Sequence, residues 1–178
     1  MPKLLSSDVI LAFGDSLTYG TGTEATEAYP TVLERLSGFK VVNAGVPGEV
    51  TAKGLARLPQ VLEDVQPALM ILCHGGNDLL RKTGEPAAAD NLRAMVRLAQ
   101  QQGVSVMLVG VPKPSILLNE PAYYQQVADE FHVPILTGVF SKILKRPSMK
   151  SDAIHPNNKG YKVLAENIYV LMGESGLM

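Results

Sequence analysis

Only one cysteine, Cys73, occurs in the 178 residues, so no internal disulfide framework is possible. It sits inside the apolar run 68–73, which points to a buried, inert thiol rather than a reactive one. Charge of neither sign dominates: the net charge is −1 and charged residues make up 19% of the chain. No basic block occurs, which excludes the footprint of a nucleic-acid or anionic-membrane binder. Long apolar runs are missing as well, and none approaches the ~20 residues needed to cross a bilayer. The opening "MPKLLSSDVI" is too short to hold the apolar core and cleavage site of a signal peptide. The expectation is a cytoplasmic chain, or a periplasmic one if a signal has been removed. Repeats, low-complexity tracts and linkers are also absent, and the length suits one domain spanning 1–178. A domain of that size buries roughly 70% of its unfolded surface, enough for a proper core.

What the chain does have is a regular alternation. Short apolar runs at Val9–Phe13, Lys40–Asn43, Ala68–Cys73, Val104–Gly110 and Val133–Leu136 read as strands. They are nearly continuous in hydrophobicity, as strands buried on both faces of a parallel sheet must be. Between them the spacing predicts helices over about 27–37, 51–65, 86–102, 121–131 and 158–172. Leu55, Leu58, Leu62 and Val65 form one apolar stripe, and Leu92, Met95, Val96 and Ala99 another. Strand and helix in strict alternation imply right-handed crossovers and a doubly wound α/β sandwich.

In such sheets ligands bind beyond the carboxyl ends of the strands, near a topological switch point. The residues just after each strand are therefore the informative ones. They are Gly14-Asp15-Ser16, then Asn43-Ala44-Gly45 with Pro47-Gly48, then His74-Gly75-Gly76-Asn77-Asp78, and finally "SDAIHPNNKGY" (151–161). Each has a plainer reading. Ser16 suits a helix N-cap, Gly45 and Gly48 suit turns, and Asn77 after two glycines is an ordinary turn residue. Asn157 or Asn158 suits the cap of the last helix. None of these readings explains why all four segments fall on one edge.

Ester hydrolysis does explain it. That reaction needs a nucleophile, a base, a group to orient the base, and donors for the developing oxyanion. Ser16, at a strand-to-helix turn, offers an exposed hydroxyl and its own N–H at a helix start. His155 is placed to take the proton, and Asp152, three residues earlier, to hold its other nitrogen. The order Ser, Asp, His is one of the known triad orders. Gly48 offers an unobstructed N–H and Asn77 a side-chain amide. Of the other histidines, His132 falls near a helix end, away from this edge, and reads as a C-terminal cap or a surface group. His74 is at the right edge and is expected to line the pocket, with no partner close in sequence. A phosphate- or flavin-binding module of similar fold is a competing reading. It rests only on "GTGT" (20–23), and the chain lacks both a GxxxxGK[ST] loop and the third glycine of a dinucleotide fingerprint.

Together these segments resemble the SGNH (GDSL-type) esterases and lipases. "FGDSLTYG" (13–20) resembles the first family block, which implies the nucleophile at Ser16. "NAGVPGEVTAKGLARLP" (43–59) resembles the second and implies an oxyanion glycine at Gly48. "GGND" (75–78) resembles the third, with the oxyanion asparagine at Asn77. "DAIHPNNKGY" (152–161) resembles the last, with Asp152 and His155. A lone GDSL-like tetrapeptide is weak evidence, but four blocks in family order across residues 13–161 are highly specific. "GLARLP" (54–59) and the compact length resemble the bacterial arylesterase, thioesterase I and lysophospholipase branch. That resemblance implies a flavodoxin-like three-layer α/β/α sandwich with a five-stranded parallel sheet. It also implies no metal or cofactor, and a small acyl ester or thioester as substrate; a monomer is expected. Carbohydrate O-deacetylation is the alternative within the hydrolases. The substrate loops depart from the branch: His74 replaces an apolar residue, and "VPKPSILLNEPAYY" (111–124) does not follow the usual loop. Ile116, Leu117 and Leu118 are expected either to line an acyl pocket or to pack as helix leucines. "LLRKTG" (79–84) is expected to act as a mobile lid.

Overall fold

A computed structural model describes residues 2–178. Five strands form one all-parallel sheet in the order β2-β1-β3-β4-β5: β1 (Val9–Gly14), β2 (Lys40–Gly45), β3 (Leu69–Cys73), β4 (Ser105–Val109) and β5 (Ile135–Leu136). This order reverses direction at β1, so the switch point lies between the exits of β1 and β3. Helices cover both faces: α1 (Ser16–Tyr19), α2 (Tyr29–Ser37), α3 (Thr51–Val65), α4 (Gly76–Arg81), α5 (Glu85–Gln101), α6 (Tyr123–Phe131), α7 (Val139–Leu144) and α8 (Asn158–Glu174). Helix α2 packs on α8, and α3 packs on α5, so the two pairs flank opposite faces as the expected three-layer sandwich requires.

The apolar runs explain the core. Ile10 to Phe13 of β1 and Leu69 to Cys73 of β3 are all essentially inaccessible, as are Val106 to Val109 of β4. Truncating one such residue, for example Ile71→Ala, costs about 2–5 kcal/mol. Strand β2 breaks the pattern: at the sheet edge it is only half-buried, and its Asn43 is exposed. Strand β5 is shorter than the spacing predicts, beginning at Ile135 rather than Val133. Pro134 has no N–H to donate to the ladder, although its carbonyl still accepts from Leu108 at 2.9 Å. Both predicted stripes bury as expected: Leu58, Leu62, Leu92, Met95, Val96 and Ala99 face the core, and Leu55 and Val65 are half-buried against it. The Cys73 thiol is buried, and burial pushes its pKa well up, as an inert cysteine requires.

Two details deliver side chains to the switch point. Gly14 is glycine because β3 passes too close for a side chain: a Cβ there would lie 1.9 Å from the Cys73 carbonyl oxygen. Val50, the residue before helix α3, offers the helix no side-chain cap. The first helical N–H, from Thr51, is instead taken by the Asp78 carboxylate at 2.8 Å, and the Thr51 hydroxyl donates to the same group at 2.8 Å. An orphan helix donor is thereby satisfied from another strand exit, which draws the β2–α3 loop against α4.

Candidate active site

The site is built from three strand exits and the loop before α8. After β1, Asp15 caps the single-turn helix α1, its Oδ1 accepting from Leu17 N–H at 3.0 Å. Burial pushes the Asp15 carboxyl above its usual range, opposed by the neighbouring His74 and His155 imidazoles and by that hydrogen bond. Asp15, not Ser16, is the cap, which leaves the Ser16 hydroxyl free to face the site.

His155 reaches that hydroxyl across 139 residues of chain: its Nε2 lies 3.1 Å from Ser16 Oγ, and its Nδ1 lies 2.7 Å from Asp152 Oδ2. The three-residue spacing works because the loop folds back on itself. Asp152 Oδ1 accepts the N–H groups of Ile154 and His155, both at 2.8 Å. Ser151 N–H donates to the His155 carbonyl, while Asn157 caps α8 and ties back to Ser148. Partial burial pushes the Asp152 carboxyl up, but hydrogen bonds from the His155 ring and from two backbone N–H groups outweigh it. The net result lies below the usual carboxylate range, so Asp152 stays ionised beside the imidazole. Tyr161 of α8 donates to Thr21 O at 2.8 Å and fastens the loop to the β1 exit.

Asn77, on the first turn of α4, lies beside Ser16 and His155 along one cavity. Its Nδ2 donates to the Glu49 carbonyl at 3.0 Å and to Asp15 Oδ2 at 3.3 Å. Gly48 lies in the β2–α3 loop at φ +76°, outside the cavity lining, with its carbonyl held by Arg81 at 2.8 Å. Among the described residues neither the Ser16 nor the Gly48 N–H meets an acceptor. The rest of the cavity is mainly apolar, with walls from Leu17, Leu80, Val111, Leu118, Phe140 and Ile154, and Lys113 at its margin.

Three expected substrate contacts need correction. His74 does not line the cavity: it is fully buried, and its Nε2 bonds Glu49 Oε2 at 3.1 Å, a partner 25 residues away in sequence. Ile116 and Leu117 are 97% and 66% exposed, so they neither line the cavity nor pack on a helix. They sit in a turn closed by Leu118 N–H to Ser115 O at 3.1 Å. Leu118 alone of the three reaches the cavity. His132 does end α6, as a left-handed cap. Sequence reasoning missed Glu49, Arg57 and Asp78, although all three stand inside the quoted blocks; their signal was charge placed one residue beyond a candidate donor or on the facing helix.

Comparison with known proteins fixes the relationship. Residues 12–163 match the GDSL-like lipase/acylhydrolase family. The chain belongs to that family. It is 32% identical over 172 residues to the thioesterase 1/protease 1/lysophospholipase L1 of Escherichia coli, covering 92% of this chain and 83% of that protein. A crystal structure of TesA superposes with a TM-score of 0.84 at 27% identity, covering 93% and 98% of the two chains. AlinE4, an SGNH-hydrolase family esterase, superposes at 0.72 with 30% identity, covering 97% and 98%. As a GDSL-family member the protein is a serine ester hydrolase, with the five-stranded parallel sheet expected from its sequence.

Proposed function

We propose that Ser16 is the nucleophile of a two-step acyl transfer in which His155 is the general base and Asp152 orients it. The observation that carries this reading is the unbroken relay from Asp152 Oδ2 through His155 to Ser16 Oγ, with links of 2.7 and 3.1 Å, opening on one cavity. Both links lie within the reach required for proton transfer and for base orientation. Ser16 attacks the carbonyl carbon while His155 takes its proton. The tetrahedral oxyanion is held by the N–H groups of Ser16 and Gly48 and by the Asn77 amide, which exchanges its longer bond with Asp15 for the developing charge. His155 returns the proton to the leaving group. Water then attacks the acyl-enzyme, with His155 again as base.

The mainly apolar cavity supports acyl esters or thioesters with hydrocarbon chains as substrates; a sugar acetyl ester would find few polar partners on these walls. Hydrolysis of p-nitrophenyl esters of graded chain length tests the reading. Turnover is expected to rise beyond acetate as the chain fills the cavity, and Ser16→Ala is expected to lose roughly 10⁴-fold or more in kcat. Wild-type turnover by Ser16→Ala would overturn the assignment.

A further inference from the structure

A buried charge cluster lies beneath the site, outside the cavity, and the mechanism above does not use it. Glu49 and His74 are 7% and 0% exposed. His74 Nδ1 accepts the Gly75 N–H at 2.9 Å, so the ring proton sits on Nε2 and is donated to Glu49 Oε2 at 3.1 Å. Glu49 is also gripped by Arg57 of α3, with Nε at 2.8 and 3.0 Å from the two carboxylate oxygens and Nη2 at 2.8 Å. That Nη2 continues to Gly14 O at 3.2 Å and Ala44 O at 2.8 Å, and the guanidinium lies 4.0 Å over the Phe13 ring. The exits of β1, β2 and β3 thus converge on one carboxylate. Helix α3 makes room for the imidazole with Gly54, where a Cβ would lie 2.5 Å from His74 Nε2. Glycine inside a helix costs about 1 kcal/mol, a cost the packing against His74 explains.

What this cluster joins gives it a purpose beyond stability. Glu49 follows Gly48 directly, and its carbonyl holds the Asn77 amide at 3.0 Å; His74 immediately follows β3, three residues before Asn77. We infer that His74 and Glu49 are positioning residues, a buried clamp that fixes the loop carrying Gly48 against the turn carrying Asn77 and so holds the oxyanion donors in register. This inference rests on the proposed roles of Gly48 and Asn77. Buried donors and acceptors with complete partners are rigid, and a misplacement of about 1 Å in a catalytic group costs on the order of 10²-fold.

The test is kinetic, with kcat expressed per active serine from the p-nitrophenol burst, so that misfolded protein does not count. His74→Leu removes the donor to Glu49 and is expected to lower kcat about 10- to 100-fold while KM for a butyrate ester stays within about twofold. KM is spared because neither residue lines the cavity. His74→Gln, whose amide reaches the place of Nε2, restores most of the loss. In an Asn77→Ala background the His74→Leu effect shrinks, because the clamp then has one donor fewer to place. Wild-type kcat per site in His74→Leu, or a full additive loss in the Asn77→Ala background, overturns the clamp. Glu49→Gln serves the same test should His74→Leu fail to fold. If Ser16→Ala and Asn77→Ala are inactive while the clamp variants are not, only the clamp fails. If Asn77→Ala itself keeps full activity, the reading of the oxyanion site fails instead.

Discussion

The strand exits of β1, β2 and β3 and the 110–122 segment flank the same cavity but are held in opposite ways. At the exits the buried polar side chains are paired: the Asp78 carboxylate takes Thr51 twice and Thr83 once, and Asn91 donates to Thr51 Oγ1 at 2.9 Å. The 110–122 segment instead closes on its own backbone, Lys113 N–H to Asn119 O at 2.9 Å, and fastens to its neighbours at few points. Glu120 accepts from Gly138 N–H at 2.8 Å, Ser141 donates to the Leu118 carbonyl, and Lys113 pairs with Glu85. Leu118 carries a positive φ of +51°, unusual for a side chain of its size, and Ile116 points wholly to solvent. The side proposed to do the chemistry is over-determined, whereas the side proposed to meet the acyl chain is loosely specified. Changes on the first should alter rate or fold; changes on the second should alter selectivity and little else.

The sharpest way to break that contrast is at Asn77. Asn77→Ala removes one proposed oxyanion donor and is expected to lose about 2.7–4 kcal/mol of transition-state stabilisation, read as kcat/KM on any short ester. Equal kcat in the two proteins would show that the exits are rigid for some other reason. Next in size is a loss of stability at Asp78. Asp78→Ala strands the buried Thr51 N–H and hydroxyl and should cost about 1–3 kcal/mol in urea unfolding. A smaller loss would mean that water replaces the carboxylate and that the exits are less closed than their hydrogen bonds indicate.

An effect confined to acid comes third. Burial alone would raise the Glu49 carboxyl, but His74 and Arg57 bring it from an ordinary 4.5 down to about 2. Between those values the unfolded chain binds the proton that the folded chain refuses. Glu49 therefore stabilises the fold fully above pH 4.5, and this contribution is lost as pH falls toward 2. Glu49→Gln carries no such proton, so its Tm should decline less steeply than that of the wild type from pH 4.5 to 2.5. Parallel declines would show that the clamp carboxylate is not held as its partners require.

How much of this was legible in the sequence follows the same division. The relay Ser16–His155–Asp152 was readable because each member falls at a strand exit or beside the last helix, where fold class alone predicts chemistry. The three-residue spacing of Asp152 and His155 already favoured His155 over the other two histidines. The Glu49–His74 contact was not readable, since nothing local marks two side chains 25 residues apart as partners. Only the sheet order, which sets β3 beside β1 and brings α3 back across it, makes them meet. Ile116 and Leu117 misled for the opposite reason: three consecutive apolar residues suggest burial, yet the turn 115–118 spends two of them on solvent. Pro134 shortened β5 by a rule that was visible in the sequence but overridden there by the apolar run around it.

The smallest expected effects lie in that turn and separate its two leucines. Leu118 lines the cavity and Leu117 does not, although they are neighbours in sequence. Leu118→Ala shortens a wall that, on the proposed reading, only a longer acyl chain meets. It should therefore reduce kcat/KM for a long-chain ester by about tenfold, the worth of a few methylene contacts, and leave acetate hydrolysis alone. Leu117→Ser should change neither ester and should shift stability by no more than about 0.5 kcal/mol, as an exposed substitution does. If Leu117→Ser matched Leu118→Ala on the long-chain ester, the turn would have to fold inward over the bound chain. The loose side of the site would then be a moving part of the acyl pocket, not a fixed wall.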